Sequence, residues 1–258
     1  MKYLKICFIA LVISCNSSHE KKAAEMPGAY FMISQTVTVG DKASKNTDLK
    51  QLKIYTDRYM MYTQVNPSDS ASAFGIGTYT TDTSGVTENV IYTSRDSMLD
   101  DSARSYKLNI VTTTDGYNQV IPDIVIDNEK AKLTEEYQKV GTAATSPLDG
   151  MWKEIDAYDI SGNDTTRKNR TQYKAFYQGY FMFGQTIKDS SGMHTGIGFG
   201  TFAMEGDNKM KETDLNSTYS IITGQSFTID VEMTGTDQFK QVITQSNGVK
   251  SVEIYKRL

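Results

Sequence analysis

The sequence predicts an all-β chain built as two tandem, antiparallel, up-and-down barrels of eight strands each. Three observations lead there. The chain repeats itself: Gly28-Ala29-Tyr30 returns 122 residues later as Gly150-Met151-Trp152, and Gly75-Ile76-Gly77-Thr78-Tyr79 returns as Gly198-Phe199-Gly200-Thr201-Phe202. Apolar and polar residues alternate in short segments divided by turn signals every eight to twelve residues, the spacing of an all-β sandwich or barrel. No amphipathic helical stretch interrupts them. Sequential hairpins with short turns favour up-and-down order, and closure removes exposed strand edges.

The first fourteen residues carry Lys2 and Lys5 followed by an apolar run from Ile6 to Ile13, too short for a permanent membrane helix. They are expected to be a signal peptide (1–14). Val12-Ile13-Ser14-Cys15 resembles a bacterial lipobox, which implies palmitate-type lipidation of Cys15 and a tether over 15–26. The chain has two cysteines, and Cys7 falls in the discarded segment, so thiol and disulfide chemistry is excluded from the barrels. Removing Lys2 and Lys5 takes the basic count from 27 to 25 against 31 acids, a net charge of −6. That balance argues against nucleic acid as a partner. The expected partner is instead the membrane, reached through the N-terminal lipid in the cell envelope, with the outer membrane as the expected site.

In the first copy (27–140), strands are predicted near 28–39, 50–56, 58–65, 74–81, 86–94, 104–113, 116–126 and 132–139. A small polar linker, 141–147, leads to the second copy (148–258). Its strands are predicted near 150–158, 171–178, 180–188, 196–204, 208–216, 225–233, 237–245 and 249–257. Phe227, Ile229, Val231 and Met233 share one face of their strand and Asp230 and Glu232 the other, which predicts solvated acids over an apolar interior.

Gly150-Met151-Trp152 and the closing Glu253-Ile254-Tyr255-Lys256-Arg257 carry a resemblance. They resemble the G-x-W signature and terminal basic residue of lipocalins, and the strand pattern is similar to the lipocalin-like (calycin-type) domains of Bacteroidota lipoproteins. The resemblance implies that Arg257 stacks on Trp152 to plug the closed end, a contact worth ~1 kcal/mol. In the first copy Tyr30 and Lys139 take those places, which marks it as the diverged copy with the less certain pocket.

Recurrent aromatics supply the candidate pocket: Phe181, Phe183, Phe199, Phe202, Phe227, Phe239, Tyr62 and Tyr79. Each equally suits a filled core, because an eight-stranded barrel is either just filled by side chains or open to one small ligand. Loops near 160–170, 188–195 and 217–225 are expected to form the mouth of the second barrel. Catalytic residues, metal ligands and cofactors are not expected. His194 stands near Ser190 and Ser191 without a well-placed acid, and Asp159, Ser161 and Asn163 lack the remaining positions of a calcium loop. Asp69-Ser70-Ala71, Asp96-Ser97-Met98, Asp101-Ser102-Ala103 and Asp164-Thr165-Thr166 resemble the O-glycosylation acceptor of Bacteroidota. The expectation is therefore a non-enzymatic, lipid-anchored protein that holds a small apolar or amphipathic ligand, or else an interaction module with filled barrels that docks an envelope protein.

Overall fold

The computed structural model describes residues 24–66, 72–94, 104–126 and 128–258. The expected signal peptide (1–14), the lipobox-like segment with Cys15 and the acceptor-like triplets at 69–71, 96–98 and 101–103 lie outside them. The fold is all-β. The first copy contains β1 (Gly28–Val39), β2 (Lys42–Asn46), β3 (Lys50–Tyr55), β4 (Tyr59–Val65), β5 (Ala73–Asp82), β6 (Gly85–Thr93), β7 (Arg104–Thr113), β8 (Gly116–Ile126) and β9 (Glu129–Val140). The second contains β10 (Gly150–Ser161), β11 (Asp164–Arg167), β12 (Arg170–Tyr177), β13 (Tyr180–Asp189), β14 (Gly192–Met204), β15 (Lys209–Ser217), β16 (Ser226–Thr234), β17 (Gln238–Thr244) and β18 (Lys250–Arg257).

In each copy consecutive strands pair antiparallel, and the first pairs with the last to close a barrel, β1 with β9 and β10 with β18. Sixteen of these strands are the ones the alternation predicts. The short β2 and β11 are additions: each folds back as a hairpin on the far half of the long first strand, without entering the barrel wall. They carry no apolar alternation, β2 being Lys-Ala-Ser-Lys-Asn with every residue exposed, so the pattern that finds the other strands passes over them.

Strand alternation places one residue inside and the next outside. In β13 Phe181 enters the barrel and Met182 leaves it, as do Met60 and Met61 in β4. The outward residues meet their counterparts from the other barrel in a shared apolar seam that includes Leu52, Ile54, Met61, Phe74, Met182 and Phe199. Phe31 of the first barrel lies edge-on to Tyr180 of the second at 5.4 Å, and a Cβ added to Gly184 would collide with the Phe74 ring. The outer faces of β3–β5 and β12–β14 are thus as dry as a domain core.

At the closed ends Trp152 is fully buried, donates from Nε1 to the Leu148 carbonyl at 2.7 Å and lies 4.0 Å below the Arg257 guanidinium. Arg257 also donates to the carbonyls of Thr236, Asp149 and Pro147, which ties the last strand to the linker. In the first barrel the Tyr30 hydroxyl donates to the Met26 carbonyl at 2.9 Å and Lys139 stands 5.9 Å over the ring. Met26, which the sequence reading places in the expected tether, is buried to 1% exposure against Tyr30 and packs as part of the first barrel.

Candidate functional site in the first barrel

Above each closed end the inward positions turn polar. In the first barrel β3 carries Gln51, Lys53 and Tyr55 on its inward face, with Leu52 and Ile54 committed to the seam. Lys53 pairs with Glu88 of β6 at 2.7 Å and donates to the Gln119 carbonyl oxygen at 3.3 Å. Gln119 and Tyr137 both donate to Oε2 of Glu135, at 2.5 and 2.8 Å, and Gln51 donates to the Tyr137 hydroxyl. Gln35 donates to the other Glu135 oxygen at 2.8 Å, and Tyr55 donates to Glu88. Burial pushes the Tyr55 and Tyr137 phenols well above their ordinary range, with the adjacent Glu88 and Glu135 charges adding to it. Both rings therefore act as neutral donors to carboxylates.

The second barrel repeats the Gln-x-Lys, glutamine, tyrosine and glutamate parts of this arrangement, with Phe176 in the place of Tyr55. Lys174 pairs with Glu212 at 2.5 Å and donates to Gln241 at 3.2 Å, while Gln241 and Tyr255 each donate to Oε2 of Glu253 at 2.7 Å. Gln172 donates to Tyr255. The two copies part company at Oε1 of the distal glutamate, where Arg170 of β12 reaches Glu253 at 2.6 Å and binds both oxygens of Glu154 at 2.6 and 3.0 Å. The burial of Glu253 is outweighed by Arg170 and Lys174, which hold its carboxyl below the ordinary range. The first barrel has Met32 in the place of Glu154 and Leu49 in the place of Arg170.

Over the polar floor of the first barrel lies a cavity of about 320 Å³. Its floor is Gln51, Lys53, Glu88, Gln119, Glu135 and Tyr137. Its walls include Val90, Ile121 and Leu133, and Arg104, an exposed residue, also lines it. A site of this size fits the lower end of small-molecule pockets, and a few fixed polar groups set within apolar walls are what orient a ligand.

Of the eight aromatics proposed for a pocket, Tyr62 lines this cavity, its ring occupying the space that a side chain at Gly75 would need. Phe183 and Gly198 repeat that device in the second barrel. Tyr79 packs at 4.9 Å on Tyr55 in the closed end, and Phe181, Phe202 and Phe239 fill the core around Trp152, with Phe183 and Phe227 at its edge. Phe199 points out of its barrel into the seam. The cavity belongs to the copy expected to be the less certain one, and its lining is mixed polar and apolar rather than aromatic.

The remaining sequence candidates fall outside this site. Ser191 Oγ and Asp189 Oδ1 both face the same His194 nitrogen, at 2.8 and 3.2 Å, on an exposed hairpin tip. A hydrolytic triad needs serine and acid on opposite nitrogens. Asp230 and Glu232 are exposed and pair with Lys209 and Lys240. Among the described residues no group of three or more histidines, cysteines or acids is placed to hold a metal. The signal for the polar floor is in the sequence as Gln-x-Lys at 51–53 and 172–174 and as repeated glutamates and glutamines. Taking the inside of a barrel as apolar assigns those residues to solvent.

No family model and no curated protein matches the sequence. Among solved structures the chain is similar to a protein of unknown function of the DUF3598 family from Nostoc punctiforme, with 10% identity and a TM-score of 0.26 over 90% of this chain and 96% of that one. It is also similar to a lipoprotein of Bacteroides thetaiotaomicron, with 16% identity and a TM-score of 0.30 over 62% of this chain and 92% of that one.

Proposed function

We propose that the chain is an exported, lipid-anchored binding protein of the cell envelope whose first barrel holds a small amphipathic ligand without transforming it. The single observation that supports this reading is the cavity of about 320 Å³ set over the Lys53–Glu88 and Gln119–Glu135–Tyr137 contacts. A wholly apolar guest would offer nothing to the carboxylate lone pairs of Glu88 and Glu135 that the bonds within the floor leave unused. A guest with one polar end and one apolar end satisfies floor and walls together. The lipocalin-like character of the G-x-W end and the lipidation of Cys15 in the outer membrane belong to the same proposal, and they stand on the sequence motifs.

A supporting role for the second barrel accompanies this reading. Its interior is occupied by Trp152, Phe176, Phe181 and Phe239 below and by the Arg170–Glu154–Glu253 ion pairs above. We assign it to holding the first barrel through the shared seam.

Native mass spectrometry tests the binding reading. The Cys15→Ser chain, purified from the periplasm of a producing host, is expected to carry a compound that stays in native ions and is released on denaturation. A clean apo mass, unchanged after incubation with short-chain amphiphiles, contradicts it and moves the proposal to a filled module that docks an envelope partner.

A further inference from the structure

The duplication supplies its own control for the chemistry of the ligand. Resting on the reading of the first barrel as a binding site, we infer that the polar end of the ligand is a cation, an ammonium or guanidinium group, received by Glu135. In the second barrel the corresponding Glu253 has a cation of its own: Arg170 at 2.6 Å from Oε1, held from behind by Glu154. In the first barrel both residues of that device are replaced by apolar ones, Leu49 and Met32. Glu135 there accepts only from the neutral donors Gln35, Gln119 and Tyr137 among the described residues.

The charge count agrees. The buried floor holds one cation, Lys53, and two acids, Glu88 and Glu135, each of them 5% exposed or less. Lys53 is spent on Glu88 and Gln119, so it offers no free ammonium to an anionic guest. A carboxylate or phosphate would stand against Glu135 in a low-dielectric site, where like charges repel strongly. A guanidinium presents a planar fork to a carboxylate, and its alkyl chain would run up the wall of Val90, Ile121 and Leu133. Two cations line the cavity: Lys53, paired with Glu88, and the exposed Arg104, whose place away from the floor calls for the polar end of the ligand to lie against Glu135.

Isothermal titration of the Cys15→Ser chain with hexylguanidinium, hexylammonium, hexanol and hexanoate tests this. The expected order places the two cations at least tenfold tighter than hexanol, with hexanoate weakest. Glu135→Gln is expected to abolish that preference. Met32→Glu with Leu49→Arg, which rebuilds the internal cation of the second barrel, is expected to remove cation binding while leaving thermal unfolding cooperative. Tighter binding of hexanol or hexanoate overturns the cationic assignment and leaves the binding site standing. Binding of none of the four, together with a clean native mass, overturns both.

Discussion

Glu135 and Glu253 hold the same place in their barrels, each accepting on one oxygen from a tyrosine and a glutamine, and they differ in what meets the other oxygen. For Glu135 it is the amide of Gln35, with an open cavity above; for Glu253 it is the guanidinium of Arg170, which belongs to the chain. A buried carboxylate has to be neutralised or paired, and the chain shows two ways of doing so. One copy completes its network internally and is closed by it. The other leaves a polar floor within reach of a guest. The copy that departs furthest from the G-x-W pattern is therefore the one with room inside, because Tyr30 and Lys139 close the bottom of the barrel and do not determine what fills its top.

The largest expected difference between the copies comes from removing the buried lysines. Phe176 stands where the first barrel has Tyr55, so Glu212 lacks the phenol that Glu88 keeps, and Lys174 is its ion-pair partner. Lys174→Met is expected to cost about 3–5 kcal/mol in chemical denaturation, the range for breaking a buried pair. Lys53→Met is expected to cost about half as much, because Glu88 retains Tyr55 and faces the cavity. Equal losses would mean that the phenol and the cavity do not matter.

The barrel strands are legible in the sequence because alternation, turn residues and the duplication all agree on them. The inward polar ladder is not, because β3 and β12 are buried on both faces. In Gln51-Leu52-Lys53-Ile54 the apolar side faces the other barrel and the polar side faces the interior. A single sequence gives the period of a strand but not which of its faces is inside. That is why Phe199, whose ring lies in the seam, reads as a pocket residue from sequence. The absence of an internal cation beside Glu135 shows only when Met32 and Leu49, both packed in the first barrel's core, are set beside Glu154 and Arg170.

A second effect separates the copies by pH. Asp214 occupies the place of Val90, and burial together with the nearby Glu212 pushes its carboxyl from 3.8 up to about 7 against the pull of Lys174. A raised acid pKa in the fold means that the folded state holds the proton more tightly. The penalty is thus absent below about pH 4, grows as the pH rises through 7 and is constant above it. Asp214→Asn is expected to match the parent at pH 4 and to exceed it by up to about 4 kcal/mol at pH 8, the linkage value of that shift. Thermal melts at the two pH values check this, and an equal effect at both would contradict the assignment. Val90→Asp should bring the same pH dependence into the first barrel.

The central claim, that one ladder is open and the other sealed by Arg170, is tested most directly by converting the sealed copy into the open one. Glu154→Met, Ala157→Gln and Arg170→Leu together give the second barrel the residues that surround Glu135. Native mass spectrometry with hexylguanidinium is expected to find one bound molecule per parent chain and two per converted chain. A single molecule in both, with the converted chain folded, would contradict the claim that Arg170 is what closes the second barrel.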